Sequence, residues 1–253
     1  MLFQKFFSSR TYPRSLLFIP ATLSFCILAA SCSRDNRESE TTAQAGDIED
    51  NRPNIVYILA DDLGYADLGT FGSEIPTPNL DMLASQGMLL TDFHTSLTCS
   101  PTRSMLMSGT DNHVAGLGVM GRSNREDQRD APGYEAYLNF RVASLADLMT
   151  DAGYNTYMTG KWHLGNDVET GPRARGFKKS FVSLSGAAHL GGLSWNGPGL
   201  APYRDGEEIV NIEDDDFYTT EFYTQRMIEY IEEDREDGKP FFAWLAYTAP
   251  HWP

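Results

Sequence analysis

Two uninterrupted apolar runs, "NIVYILA" at Asn54–Ala60 and "PFFAWLAY" at Pro240–Tyr247, constrain this chain more than any other feature. A strand with one wet face alternates apolar and polar residues, so runs of this kind predict strands covered on both faces. Such strands need a layer packed on each side of their sheet. The segments between them supply the layers. "TPNLDMLASQG" reads as a short helix with Leu80, Leu83 and Ala84 on one face and Gly87 at its end. "MLLTDFH" reads as a second strand. "VASLADLMTDAGY" repeats the helix-then-glycine pattern, and "NTYMTG" follows as a third strand. A polar, Gly-rich middle covers Gly165 to Asp216. The last helix lies in "YTTEFYTQRMIEYIEEDRE", with Tyr223, Met227, Tyr230 and Ile231 at helical spacing. Strands alternating with helices imply a layered α/β sheet, and ligands of such sheets gather at the carboxyl ends of the strands.

The first thirty residues stand apart. Lys5, Arg10 and Arg14 make a positive start, and "SLLFIPATLSFCILAA" is an apolar core too short and too early for an ordinary membrane span. It ends at "LAASC", which predicts a signal segment over residues 1–32. The ending resembles a bacterial lipobox, with Cys32 as the lipidated first residue, although Ala29 stands where that pattern prefers a larger aliphatic side chain. The expected location is therefore outside the cytoplasm, in the periplasm or lipid-anchored in the bacterial cell envelope. Any membrane attachment would run through a lipid on Cys32. Residues 33–50, "SRDNRESETTAQAGDIED", have no apolar periodicity and read as a disordered tether. The folded body is expected over 51–253.

The formal net charge of −15 repels phosphate backbones, so nucleic acid is excluded as a partner. It also means that any anion site must be a local cationic pocket. Processing at Cys32 leaves Cys99 as the only cysteine of the body, without a disulfide partner in an oxidising setting. A lone thiol in a Ser/Thr-rich turn is not placed as a core residue would be.

Four predicted strand ends carry groups capable of chemistry. Asp61 and Asp62 follow the first run; adjacent carboxylates repel unless a cation lies between them, and hard oxygen ligands suit Ca²⁺ or Mg²⁺. In "CSPTR", Pro101 fits the first turn of a helix, so Cys99 is expected near a helix N-terminus that lowers a thiol pKa and attracts anions. Arg103 adds a forked donor for a tetrahedral oxyanion. In "GKWHLG", strand alternation would point Lys161 and His163 the same way and turn Trp162 to the core. His251 sits in the rigid turn "TAPHWP". Together these residues describe a metal-anchored anion site for hydrolysis of a tetrahedral anion ester, with phosphate and sulfate both open.

From Arg52 to Pro253 the chain resembles the sulfatase family, in particular bacterial arylsulfatases. "PNIVYILADDLGYADLG", "CSPTRSMLMSGTDNHVAGLG", "AGYNTYMTGKWHLG", "ARGFKKSFVSLSGAA" and "GKPFFAWLAYTAPHWP" occur in the family's order, and Cys99, Pro101 and Arg103 meet its C-x-P-x-R signature. The resemblance implies an alkaline-phosphatase-like α/β/α sandwich with a large mixed sheet, here stopping before its C-terminal part. It implies a sulfuric ester hydrolase acting on an aryl or carbohydrate sulfate ester. A formylglycine-generating enzyme would oxidise Cys99 to formylglycine, whose hydrate attacks sulfur through one hydroxyl and releases sulfate through the other. Asp61, Asp62 and the modified Cys99 would be ligands of one Ca²⁺, with Mg²⁺ the alternative. Arg103 would hold the formylglycine region, Lys161 and His163 would contact hydrate and sulfate, and His251 would protonate the leaving group. No specificity residue is assigned, although "SLSGAAHL" is expected on the pocket's outer wall.

The family's remaining metal ligands and a second lysine fall beyond "TAPHWP", so residues 51–253 read as the N-terminal part of a catalytic domain. A fragment, inactive on its own and with the apolar strand "FFAWLAY" uncovered, is the expectation. A phosphonate or phosphodiester hydrolase of the same superfamily is the nearest alternative. A truncated, non-catalytic anion-binding lipoprotein is the alternative from another class.

Overall fold

The computed structural model describes residues 50–120, 125–129, 131–184, 193–194, 197–198, 202–210, 212 and 216–252. Contacts divide the chain into two units, Met1–Gly46 and Asp47–Pro253. The signal segment with Cys32, residues 33–49 of the tether and residues 185–190 of the expected pocket wall lie outside the described residues. Among the described residues no helix is long and apolar enough to cross a membrane.

The elements run β1 (Ile55–Asp61), α1 (Pro78–Gln86), α2 (Cys99–Ser108), α3 (Leu145–Asp151), β2 (Asn155–Lys161), β3 (Lys179–Ser183), β4 (Leu193–Ser194), β5 (Gly197–Pro198), β6 (Tyr203–Asp205), β7 (Glu208–Val210), α4 (Thr219–Glu233) and β8 (Phe241–Pro250). Six strands form one mixed sheet in the order β1-β8-β2-β3-β6-β7. The first four are mutually parallel, and β6 and β7 extend the sheet antiparallel. β8 is last in the chain yet lies between β1 and β2. Met107, Leu117, Leu138 and Ala146 pack with Met158, Trp162, Val182, Phe242 and Trp244 in one core, which brings α2 and α3 to one face of the sheet. Phe217, Tyr223, Met227 and Tyr230 pack with Tyr157, Phe181, Ala243 and Leu245 in a second core, under α4 on the other. This is the expected α/β/α sandwich with a mixed sheet.

Three expectations about the strands need correction. Strand β1 is covered on one face only: Ile55, Tyr57 and Leu59 pack into the first core, whereas Val56 and Ile58 are 53% and 54% exposed. As the edge strand, β1 lies outside the cover of α4, which packs over β2 and β8. Conversely, the run expected to be left uncovered, Phe241–Tyr247, is central and packs into both cores. "MLLTDFH" is not a strand. Residues 88–94 take no ladder partner among the described residues, and Met88, Leu89, Leu90 and Phe93 are exposed. A strand exists only through its pairing, whatever its own propensity. The helix α1 forms where expected but buries none of its residues.

The Gly-rich middle holds β3, β6 and β7, which no apolar run had signalled. Their sequences, "KSFVS", "YRD" and "EIV", are too short and too polar to stand out, and cross-strand pairing decides them.

Candidate active site

Because β1, β8 and β2 are parallel, their carboxyl ends share one edge of the sheet, and that edge collects Asp61, His251 and Lys161. The register between β1 and β8 shifts after Leu59, so that Leu59 pairs with Ala246 but Asp61 pairs with Pro250. The extra residues on β8 carry its end around to His251. Next door, Gly160 has φ 108°, and a Cβ there would lie 1.8 Å from the carbonyl oxygen of Ala246. Only glycine lets the two backbones approach so closely just before Lys161. Sequence reading missed Gly160, although a glycine inside a strand is the signal for close backbone approach.

The helix α2 brings in the other groups. Cys99 opens its first turn, with Thr98 as N-cap, Pro101 two residues in and Gly109 closing the far end in the left-handed conformation. Cys99 is therefore half-buried in a helix rather than exposed in a turn. Arg103, one turn later, is 3% exposed. Its Nη1 donates to the Lys161 carbonyl at 2.8 Å, and its Nη2 lies 3.3 Å from Asp61 Oδ1. The Lys161 ammonium, 1% exposed, donates to Asp61 Oδ2 at 2.6 Å. One buried carboxylate thus lies between two buried cations.

That arrangement revises the expected repulsion between adjacent aspartates. Burial alone would push the Asp61 carboxyl up, but Arg103 and Lys161, with a smaller pull from His251, outweigh it and hold Asp61 below the ordinary carboxylate range. Asp62 does not share this pocket. Its backbone turns left-handed, φ 60°, and its Oδ2 lies 3.5 Å from His251 Nε2. The thiol also departs from expectation. Burial, with Asp61 and Asp62 adding to it, pushes the Cys99 pKa up against the downward pull of Lys161 and Arg103. A helix N-terminus lowers a thiol only where solvation or excess positive charge lets the thiolate form.

His163 is half-buried with its Nδ1 enclosed, and its φ of 56° ends the strand alternation assumed for "GKWHLG". Trp162 does turn inward, 1% exposed, donating through Nε1 to the Thr170 carbonyl at 3.0 Å and meeting Phe177 edge-on. His251 Nδ1 lies 2.6 Å from the Trp252 carbonyl, an acceptor, so that nitrogen carries the proton. Asp61, Cys99 and His251 present ligand atoms within 4.8 Å of one another. Of the expected metal set, Asp61 and Cys99 belong to this group, whereas Asp62 does not and His251 takes its place.

A family model described as Sulfatase matches residues 53–253. The chain is 46% identical over 216 residues to an uncharacterized sulfatase of Schizosaccharomyces pombe, covering 81% of this chain and 39% of that protein. It is 42% identical over 210 residues to an arylsulfatase of Klebsiella aerogenes, covering 81% and 44%. The crystal structure of Ps i-CgsB in complex with k-i-k-neocarrahexaose superposes with a TM-score of 0.67 at 27% identity, over 80% of this chain and 46% of that one. The chain spans less than half the length of each of these proteins.

Proposed function

The chain belongs to the sulfatase family, and from that premise we propose that the whole protein hydrolyses aryl or carbohydrate sulfate esters at the edge where β1, β2 and β8 end. The observation that carries this reading is the convergence of Asp61, Cys99, Arg103, Lys161 and His251, from four separate segments, around one partly buried pocket. Lys161 and Arg103 supply the local positive charge that a chain of net charge −15 needs to hold a sulfate. Cys99, converted to formylglycine by a modifying enzyme, would supply a hydrated aldehyde as nucleophile. His163 accepts a proton from that hydrate, and His251 donates one to the departing alcohol through Nε2, since Nδ1 is committed to Trp252. Arg103 anchors the helix that presents residue 99 to the end of β2.

Calcium fits the same residues only after conversion. Asp61 and an oxygen at residue 99 are hard donors that suit Ca²⁺, or alternatively Mg²⁺, whereas a thiol does not, and Asp62 would have to turn in from its contact with His251 to join them. The ion would supply positive charge for the reacting oxygens. Export under residues 1–32, with the lipid on Cys32, would place the protein in the cell envelope, supported by the basic, apolar and small-residue sequence of that segment.

The test is sulfate release from an aryl sulfate and from sulfated oligosaccharides, with the protein expressed from its complete gene beside the modifying enzyme. Turnover is expected, and Cys99→Ser should release no more than one alcohol per molecule, because a serine ester has no second hydroxyl to expel sulfate. Undiminished turnover by Cys99→Ser, or hydrolysis of phosphodiesters with none of sulfate esters, overturns the reading.

A further inference from the structure

Before its cysteine is converted, the same pocket has a different donor set. We propose that the unmodified chain holds one Zn²⁺ through the Cys99 thiolate, the Asp61 carboxylate and His251 Nε2, with water in the fourth position, and that conversion of Cys99 switches the site from a thiophilic metal to Ca²⁺. The three ligand atoms already lie within 4.8 Å of one another. Around tetrahedral Zn²⁺ they would stand about 3.5 Å apart, so the ligands need move only about 1 Å inward. Thiolate, imidazole and carboxylate are the ligands Zn²⁺ selects, and three protein ligands plus a water is the arrangement of open zinc sites.

The histidine gives independent support. Its Nδ1 donates to the Trp252 carbonyl at 2.6 Å, the outer contact that fixes the tautomer of a metal-bound imidazole and leaves Nε2 with the lone pair. That lone pair faces Asp62 Oδ2 at 3.5 Å. Asp61 has an oxygen to give: Oδ2 is taken by Lys161 at 2.6 Å, but Oδ1 is held only loosely by Arg103 at 3.3 Å. Binding converts the thiol to thiolate and releases its proton to solvent, so affinity rises with pH.

Two consequences follow. A precursor that meets Zn²⁺ before the modifying enzyme has Cys99 masked, and the thiol is protected from oxidation. Once sulfur at residue 99 gives way to oxygen, the strongest zinc ligand is gone and the hard donors remain.

The experiment uses the protein expressed from its complete gene without the modifying enzyme, with Cys26→Ser, Cys32→Ser and serine at any cysteine outside residues 1–253, so that Cys99 is its only thiol. Zn²⁺ is titrated against a chromophoric chelator, and Co²⁺ is added as a spectroscopic stand-in. One equivalent of Zn²⁺ with release of about one proton is expected, and Co²⁺ should give a thiolate-to-cobalt charge-transfer band. Cys99→Ser and His251→Ala should each weaken Zn²⁺ by about 100-fold or more, beyond the 10–100-fold of outer-contact losses, whereas Asp62→Asn stays within about tenfold. Ca²⁺ affinity should not fall in Cys99→Ser, because serine offers a hard oxygen where the thiol stood. A Co²⁺ spectrum without the charge-transfer band overturns the proposal on the parent chain alone, and so does Zn²⁺ affinity in Cys99→Ser within threefold of it. Neither result touches the sulfatase reading, which the converted protein tests separately.

Discussion

Replacing Asp61 by asparagine in the metal-free chain should cost far more than removing a solvated acid. The carboxylate is 4% exposed and is the shared partner of Lys161, 1% exposed, and Arg103, 3% exposed. Asparagine keeps the shape but offers one acceptor, and its NH₂ must face one of the two cations. At least one buried charge is then left uncompensated, a defect of about 3–5 kcal/mol. Set against a total stability of about 5–15 kcal/mol, the loss is large. Asp62→Asn is the internal control, since its side chain is 56% exposed and its contact with His251 is long, so the change should stay within about 1 kcal/mol. Denaturant unfolding of chelator-treated protein at neutral pH measures both. The double variant Asp61→Asn/Lys161→Met should recover part of the loss by removing the stranded charge. An Asp61→Asn chain as stable as the parent, or more so, refutes the reasoning. That result is what simple repulsion between two neighbouring carboxylates would produce.

Gly160→Ala should destabilise by about 3 kcal/mol or more, because the added Cβ meets the Ala246 carbonyl oxygen at 1.8 Å in a left-handed backbone. Gly238→Ala, with nothing within 4 Å of its added Cβ, should cost about 1 kcal/mol, and parity between the two in a thermal melt would defeat the argument. At the opposite end of the sheet, burial pushes the Asp234 carboxyl up, but hydrogen bonds from Tyr157, Lys179 and Lys178 outweigh it and bring it to about 2. Its unfolded value is higher, so its contribution is fully present above about pH 4 and lost as pH falls toward 2; Asp234→Asn should flatten that limb of a stability–pH curve. Arg103→Lys cannot reach both the Lys161 carbonyl and Asp61 with one ammonium, so it should lose about 1–3 kcal/mol of stability, measured by the same unfolding assay, without recovery at low salt.

The chemistry-bearing residues were legible in the sequence because each stands in a short, self-contained motif directly after an apolar run or before a helix. "ADD", "CSPTR", "GKWHLG" and "APHWP" can be read locally, and a parallel sheet brings strand ends of this kind to one edge without further information. Local signals of the same sort found α2, α3 and α4: a Pro in a first turn, a helix-then-glycine pattern in "VASLADLMTDAGY", a tyrosine and methionine stripe. What failed were statements about who covers whom. "NIVYILA" and "FFAWLAY" look alike, yet one is an edge with an open face and the other the centre of the sheet. "MLLTDFH" has strand composition and no ladder partner, whereas "YRD" has neither length nor apolar content and pairs on both sides.

The protonation of the site was equally out of reach. From sequence, Asp61 and Asp62 are equivalent neighbours and Cys99 is a thiol at a positive helix end. Folding separates them, burying Asp61 between two cations, turning Asp62 out to His251 and desolvating the thiol until its pKa rises. The sequence by itself determined which side chains are present, the local elements that carry them and the family to which their order points. Only the tertiary structure decided strand order, which face stays wet, and the charge each site group carries. Those depend on pairings and desolvation between residues far apart in the chain, such as Phe241 and Asn54, hydrogen-bonded across 187 positions, and no local pattern encodes them.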